Sequence, residues 1–414
     1  MAVCGNTVYS YSKSMILMLC VLSLISLSVF DGIATKFLHA AGFASAIYFL
    51  SNPKKILAKN PVVFIFISLL LLGVLNILWS ALFKTPGTIY TNAYRGPMEM
   101  GKISLLSAFI FLVLFSKDGV SLKMNVKKTI LYCSLVAQIL FFIHAMWQHA
   151  YLHLDRIILS TSHATTAGYI MMFPALLASI LIIKSDLKYK NVLFTLNFLL
   201  SLFAIIVTET RAAILVLPFF SLLLILLNSI LRKKIEYKFY LFFFMAFFIG
   251  IFIYKDTLLM RMNDLNRDLI RYSEDNSRTS VGARLAMYEV GFRTYAVMGQ
   301  SLEDRAKKIH ELEVREPRLS GALPFVDSHL HNDVIETLST RGVPGIILTM
   351  LVFLSILIYA LKIAKEPYIL VMLFSLLVVG LSDVILFSKP VPTAVFISLI
   401  LLCAFSQLKP ENPE

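Results

Sequence analysis

Charged residues are scarce in this 414-residue chain: only 15% of its residues are Asp, Glu, Lys or Arg, and 58% are hydrophobic. A soluble globular protein carries roughly 25% charged residues. A soluble core of this size would need a polar surface that the sequence cannot provide. The composition therefore excludes a soluble protein and predicts an integral membrane protein.

Cysteine is also rare, and the cysteines are Cys4, Cys20, Cys133 and Cys403. They are expected in spans or at the cytoplasmic N-terminus, so they predict neither a disulfide framework nor a CxxC site. The sequence has no P-loop, no glycine-rich dinucleotide loop, no GxSxG and no HExxH motif. Any reaction is therefore expected to run without bound ATP and without a cofactor.

Apolar runs of about 17–25 residues are long enough to cross a membrane as helices. About twelve such runs predict an all-α polytopic membrane protein. The predicted spans are 14–32, 34–50, 61–82, 100–116, 128–148, 166–183, 191–208, 212–231, 239–254, 343–361, 368–386 and 391–407. The first run is too long for a cleaved signal peptide and is interpreted as a signal anchor.

Lysine orients these predicted spans. The connections "SNPKKILAKN", "SKDGVSLKMNVKK", "KSDLKYK", "LRKKIEYK" and "LKIAKEP" are lysine-rich and follow alternate spans. Positively charged connections remain in the cytoplasm, so both termini are predicted to be cytoplasmic. The net charge of +13 follows from this lysine bias. No nucleic-acid-binding motif accompanies it, so no nucleic-acid partner is expected.

One long segment, residues 255–342, interrupts the series of short connections and is predicted to be extracytoplasmic. It divides the chain into transmembrane helices 1–9 (1–254), a mostly helical segment carrying part of the active site (255–342), and transmembrane helices 10–12 with the C-terminus (343–414). We call residues 255–342 the outer segment. "LEDRAKKIHELEVRE" within it predicts a polar helix with alternating charges.

Two further stretches of the outer segment have helical features. In "SVGARLAMYEVGFRTYAV", the spacing of Leu285, Tyr288, Phe292 and Tyr295 predicts an amphipathic helix with these side chains on its apolar face. In "SHLHNDVIETLSTRGVPG", Asp327 or Ser328 is expected to cap a short helix that Gly342 ends.

Two arginines are predicted to bind phosphate, because a guanidinium offers a permanently charged, planar fork. Arg211 lies in "IIVTETRAAILVLPF" at an outward span boundary, where an unpaired charge in hydrocarbon would cost about 3 kcal/mol. Arg284 lies in "VGARLAMYE", one turn before Tyr288, which is included in the substrate-binding face. For Arg211 the alternative is an ion pair with Glu209 or extension of the side chain to the membrane interface. For Arg284 it is an ion pair with Glu289 or another nearby acid.

Other polar residues near the outward boundary are weaker candidates. Asp383 in "VVGLSDVILF" is predicted to be a site residue because intramembrane acids mark functional sites, although a structural counter-ion is the alternative. Arg95 and Lys102 in "YTNAYRGPMEMGKISLL" are predicted to extend the phosphate site. Asp155 and Arg156 are expected to form a local pair.

The histidines at the end of the outer segment suggest acid–base chemistry. Free histidine has a pKa near 6.5, so His331 is predicted to be a general base that activates a hydroxyl. Asn332 is predicted to orient a sugar or a backbone group, and Asp333 or Glu336 to orient the ring. A hydrogen-bonded histidine without chemistry is one alternative. A zinc pair with His329 is another, but no third ligand is evident and no metal is expected.

These stretches together carry a family resemblance. Arg211, "VGARLAMYE", "HLHND" with "RGVPG", and "GLSDV" each fall at a predicted span boundary. With its predicted spans and one long segment ahead of the tenth, the chain resembles the bacterial O-antigen ligase family over essentially its whole length.

The resemblance implies an enzyme of the bacterial inner membrane whose active site faces the periplasm. It implies transfer of an O-antigen glycan from undecaprenyl pyrophosphate to a sugar hydroxyl of lipid A-core, completing lipopolysaccharide. The implied reaction is an inverting glycosyl transfer that needs neither metal nor ATP. The family's essential arginines match Arg211 and Arg284, and its essential histidine matches His331.

Other functions remain open. O-antigen polymerases and protein O-glycan ligases share the fold and the same His–Asn and arginine pattern, so the resemblance defines the chemistry more closely than the acceptor. A twelve-span transporter is an alternative from another class. Against it, no matching broken helices recur in the two halves, and the charged groups gather at one membrane face rather than at the midplane. Membrane lipids are expected partners, and the oligomeric state is not predicted.

Overall fold

A computed structural model of the chain describes residues 2–116, 125–253, 255–386 and 389–407, which contain helices and no strand. The α-helices are α1 (Ala2–Leu27), α2 (Asp31–Ser51), α3 (Pro53–Leu57), α4 (Val63–Phe83), α5 (Thr91–Leu114), α6 (Asn125–Ala150), α7 (Ala164–Lys184), α8 (Lys190–Ile206), α9 (Arg211–Arg232), α10 (Tyr237–Ile253), α11 (Lys255–Ser273), α12 (Ser280–Arg293), α13 (Leu302–Arg315), α14 (Asp333–Ile358), α15 (Tyr368–Gly380) and α16 (Pro390–Gln407). A 3₁₀-helix covers Pro317–Phe325, and a π-helical turn covers Tyr359–Ile363.

The helical membrane architecture predicted from the sequence is confirmed. Among the described residues, 8 helices are long and apolar enough to cross a membrane, and four shorter apolar helices coincide with the other predicted spans. The number twelve therefore stays a prediction. Residues 117–124 of the second lysine-rich connection, Tyr254, the C-terminal residues 408–414 and the Cys4 side chain lie outside what the structure describes.

Helix α7 occupies the centre of the bundle, because nearly all of its residues are buried and it packs against α6, α8, α9, α15 and α16. Helices α4 and α5 approach closely at Gly73 and Gly101. A Cβ atom added to either glycine would lie 2.8 Å from the carbonyl oxygen of the other. Small residues at such a contact let two membrane helices pack backbone against backbone.

The outer segment has an apolar core of its own, separate from the core of the membrane helices. It is built by α12, α13, the 3₁₀-helix and the loop before α14, and its buried members include Met287, Ile309 and Leu330. The segment docks on the ends of α4 and α5, where Trp79 Nε1 donates a hydrogen bond to the Gln300 carbonyl at 3.0 Å. This docking places the loop that carries His331 over one end of the helical bundle.

The polar helix predicted from "LEDRAKKIHELEVRE" is confirmed as α13, but the apolar face predicted for α12 is wrong. Phe292 and Tyr295 are 61% and 39% exposed. The buried face of α12 is formed by smaller residues such as Ala283 and Ala286, together with Met287. Small side chains on that face allow the 3₁₀-helix to pack closely against α12.

The predicted cap of α14 is also wrong, whereas its predicted break is confirmed. The N-cap is Asn332, whose side chain accepts hydrogen bonds from the backbone N–H groups of Val334 and Ile335. Gly342 has a φ of 66° and a ψ of −159°, which interrupts the helical run before the apolar part of α14. A Cβ at Gly342 would lie 2.4 Å from the Val297 carbonyl oxygen, so glycine is required there.

Candidate active site

His331 is held in place by hydrogen bonds to its neighbours in the loop before α14. The Asn332 side chain caps α14 and also donates from Nδ2 to the Leu381 carbonyl at 2.8 Å. The Tyr288 hydroxyl on α12 lies 3.1 Å from the carbonyl oxygens of both His331 and Leu381. These contacts join α12, the loop before α14 and the turn after α15, so Asn332 and Tyr288 position the backbone around His331.

The imidazole of His331 contacts a buried carboxylate. Its Nδ1 lies 2.9 Å from Asp383 Oδ1, in the turn between α15 and α16. The hydroxyl of Tyr169 donates to the other carboxylate oxygen at 3.1 Å, and the Val384 N–H donates to Oδ1 at 2.8 Å. Burial would raise the pKa of Asp383, but the hydrogen bond with His331 and the nearby imidazoles lower it to about 2. The carboxylate is therefore ionised at neutral pH.

The residues predicted to orient the His331 ring have other partners. Asp333 Oδ1 accepts a hydrogen bond from the Leu386 N–H at 3.1 Å. Glu336 forms a buried ion pair with Arg305. The prediction that Asp333 or Glu336 orients the ring is therefore wrong, because Asp383, which the sequence places on another span, occupies that position.

His329 lies beside the same pair, with its ring centroid 4.4 Å from that of His331. Ligand atoms of His329, His331 and Asp383 all lie within 4.8 Å of one another, so this cluster offers a metal ion three ligands. The third ligand that was not evident from the sequence is Asp383. Burial lowers the pKa of His329 to about 4, so its ring is neutral at pH 7.

Two cavities meet at α12. The larger, of about 620 Å³, is lined by Phe325, His331, the first turns of α12 and the exposed Arg278. The smaller, of about 170 Å³, is lined mainly by polar residues from the first turns of α7 and α9 and from the turns that precede these helices. Ser280 and Arg284 line both cavities. Arg284 therefore lies between the two cavities and borders both of them.

Arg211 is the first residue of α9, and it lines the smaller cavity together with Arg156, Tyr169 and Arg284. The structure thus brings together the two arginines selected from the sequence. The structure also places Arg156 in the wall of this cavity. The sequence predicted a local pair between Arg156 and Asp155. The Arg156 Nε instead lies 3.6 Å from Glu209 Oε2, because the turn before α9 carries Glu209 to it.

The proposed alternative partner of Arg284 is engaged elsewhere. Glu289 contacts Arg318 at 2.6 Å and Arg293 at 2.8 Å, on the surface of the outer segment. The hydrogen bonds from these two arginines lower the pKa of Glu289, and they outweigh burial, which would raise it. Arg284 is left facing the cavities from the helix face opposite this network.

Two of the predicted site residues, Arg95 and Lys102, line neither of these cavities. Arg95 is exposed on α5 and lines neither cavity. Lys102, further along α5, forms a partly exposed ion pair of 2.8 Å with Glu99. Sequence reasoning in turn missed Ser280 and Phe325. The local sequence offered one signal for Ser280: the preceding Thr279 is a favourable N-cap residue, which predicts that a helix begins at Ser280. In the structure the Thr279 side chain caps α12 by accepting a hydrogen bond from the Gly282 N–H.

Comparisons with known proteins identify the family of the chain. A family model described as O-antigen ligase matches residues 196–350, which include Arg211, Arg284 and His331. The chain is 31% identical over 342 residues to the O-antigen ligase of Escherichia coli (strain K12), covering 81% of this chain and 80% of that protein. The chain therefore belongs to the O-antigen ligase family.

Proposed function

We propose that this protein is a glycosyltransferase that moves an O-antigen glycan from undecaprenyl pyrophosphate to a sugar hydroxyl of lipid A-core. The reaction takes place at the periplasmic face of the bacterial inner membrane, with both termini in the cytoplasm. Membership of the O-antigen ligase family supports the general activity, and the lysine-rich connections support the orientation.

The observation that carries the proposal is the position of Arg284 between the two cavities. The smaller cavity contains Arg156, Arg211 and Arg284, three guanidinium groups suited to the oxygens of a pyrophosphate. Arg284 and His331 both line the larger cavity. A donor whose pyrophosphate lies in the smaller cavity would direct its first sugar past Arg284 towards His331, where the acceptor hydroxyl arrives.

The His331–Asp383 pair defines which nitrogen acts as the base. Because Nδ1 donates to the Asp383 carboxylate, Nε2 carries the lone pair that takes the proton from the acceptor hydroxyl. The acceptor oxygen then forms a bond to the anomeric carbon as the bond from that carbon to the phosphate oxygen breaks. A single displacement of this kind inverts the configuration of the anomeric carbon.

The leaving group is undecaprenyl pyrophosphate, which gains negative charge as the bond breaks. Arg211 and Arg284 stabilise that charge, and removal of one such preorganised partner typically lowers the rate by about 10²–10³-fold. The bond between sugar and pyrophosphate supplies the driving force, so the reaction needs no ATP. The family resemblance implies that it needs no metal ion either.

The test is transfer by purified protein supplied with lipid-linked O-antigen and lipid A-core in EDTA, without nucleotide. We expect a ladder of larger lipopolysaccharide that His331→Ala abolishes and that the matched variant His310→Ala, at an exposed position on α13, leaves intact. Growth of glycan on the lipid carrier without acceptor would instead indicate an O-antigen polymerase. Transfer to a protein acceptor would indicate a protein O-glycan ligase, and solute movement that survives loss of His331 would indicate a transporter.

A further inference from the structure

A buried ion pair lies directly beneath the loop that carries His331. Arg305 on α13 and Glu336 on α14 have side-chain exposures of 0% and 1%. The Arg305 Nη1 donates to both carboxylate oxygens of Glu336, at 3.0 and 2.9 Å. Two charges removed from water in this way add little net stability compared with well-packed apolar side chains. The pair therefore calls for an explanation other than stability.

The remaining hydrogen bonds of the pair go to the loop before His331. The Arg305 Nη2 donates to the Val326 carbonyl at 3.1 Å. The Glu336 Oε2 accepts a hydrogen bond from the Leu330 N–H at 2.9 Å, and the Leu330 side chain is itself fully buried. The ion pair thus fixes the loop at Val326 and again at the residue immediately before His331.

The loop needs such a support because of the backbone conformation of His331. Its φ is 47°, in the left-handed region that a non-glycine residue rarely adopts and that persists only where surrounding contacts enforce it. The Leu330 N–H is held from one side by Glu336, and the Asn332 side chain caps α14 on the other side. In this conformation the ring reaches Asp383, with Nδ1 2.9 Å from Oδ1.

We propose that Arg305 and Glu336 are positioning residues that hold His331 in its left-handed conformation and thereby keep its ring on Asp383. Neither residue lines either cavity, so the pair acts through the loop and touches no substrate. The inference rests on the proposed role of His331 as the base. When the pair is removed, Leu330 loses its acceptor, His331 relaxes towards a negative φ, and its ring leaves the carboxylate.

An apolar replacement separates this role from a contribution to stability. The double variant Arg305→Met with Glu336→Leu fills similar volume without buried charge, a change that proteins often tolerate without loss of stability. The matched control is Arg293→Met with Glu316→Leu, an ion pair of 2.5 Å on the surface of the same segment. Thermal unfolding in detergent gives the folded fraction by which every rate is divided.

We expect kcat of the apolar double variant to fall by about 10²-fold, because a displacement of about 1 Å in a catalytic group has that effect. Its KM values should stay within about threefold of wild type, since ground-state binding is untouched. The control pair should transfer as wild type does. The isosteric variant Glu336→Gln keeps an acceptor for the Leu330 N–H, so its kcat should lie between the two.

A second readout does not depend on transfer. Carbethoxylation of His331 by diethyl pyrocarbonate, followed by mass spectrometry against His310 as an internal reference, reports the exposure and protonation of the ring. We expect its rate and its pH profile to change in the apolar variant and in Glu336→Gln, and to be unchanged in the control pair. Changed labelling supports the inference even if wild-type protein shows no transfer, a result that would refute the proposed function alone. Unchanged labelling of a folded apolar variant overturns the inference, whatever happens to kcat.

Discussion

Substitution of Asp383 by asparagine removes one charge from the candidate site with little change in its geometry. The Oδ1 atom accepts hydrogen bonds from the Val384 N–H and from His331 Nδ1, so the amide oxygen of asparagine should occupy that position. The amide nitrogen would then face the hydroxyl of Tyr169, which can rotate to accept a hydrogen bond. The His331 tautomer is preserved, and the loss of activity measures the electrostatic effect of the carboxylate.

The size of that effect follows from the distance between the two groups. With Nδ1 and Oδ1 2.9 Å apart, the centres of charge of the imidazolium and the carboxylate are separated by about 4 Å. At an effective dielectric constant of about 20, this pair interacts by about 4 kcal/mol. Each 1.36 kcal/mol corresponds to a tenfold change in rate, so kcat should fall by up to about 10³-fold.

The assay is single-turnover transfer from lipid-linked O-antigen to lipid A-core, with protein whose thermal unfolding matches wild type. Tyr169→Phe is the matched control, because it removes a hydrogen bond to the same carboxylate and leaves the charge in place. We expect less than about a tenfold decrease for that control. Transfer by folded Asp383→Asn protein within threefold of wild type would refute the assignment of the pair.

Three further predictions concern electrostatics and packing. Arg284→Ala should lower kcat/KM for transfer by about 10²–10³-fold, whereas the exposed Arg267→Ala should leave initial rates unchanged. Wild-type protein should lose up to about 3 kcal/mol of unfolding free energy as the pH falls from about 6.5 to about 4. Burial lowers the pKa of His329 to about 4, so on acidification the unfolded chain binds this proton at a higher pH than the folded protein does. His329→Gln should not show this loss of stability when thermal unfolding is measured at graded pH. Gly101→Ala should lower stability by about 1–3 kcal/mol, because its Cβ would lie 2.8 Å from the Gly73 carbonyl oxygen, and a lower Tm should result.

Each of these predictions has a result that contradicts it. Equal transfer by Arg284→Ala and wild type would remove that guanidinium from the reaction. A Tm of His329→Gln that falls with pH as steeply as wild type would assign the acid sensitivity to other groups. A matched Gly32→Ala variant, whose added Cβ would meet only the Lys389 Nζ at 4.0 Å, should keep its Tm. If both glycine variants lost equal stability, close packing of α4 on α5 would not be the cause.

Much of the architecture follows from local sequence patterns. Apolar runs of sufficient length predict membrane helices directly, because the bilayer requires each backbone polar group to be satisfied within its own segment. The break at Gly342 was likewise visible, since glycine tolerates its positive φ. Hydropathy does not define the packed face of a helix, however, and on α12 the small residues around Ala286 are buried while Phe292 is exposed.

The candidate site shows where such reasoning ends. His331 and Asp383 were each selected for their own chemistry, but they are 52 residues apart and only the folded chain reveals that they touch. Arg305 sits in a stretch of alternating charge that is typical of a solvated helix, and it is fully buried against Glu336. Long-range contacts of this kind depend on how helices dock, which neither spacing nor composition encodes.

The anomeric configuration of the transferred sugar tests the central claim most directly. The new glycosidic bond in purified lipopolysaccharide product can be compared by NMR with the bond to pyrophosphate in the donor. A single displacement by an acceptor hydroxyl that His331 deprotonates predicts inverted configuration. Retained configuration would require a covalent glycosyl–enzyme intermediate and would contradict the role assigned to the His331–Asp383 pair.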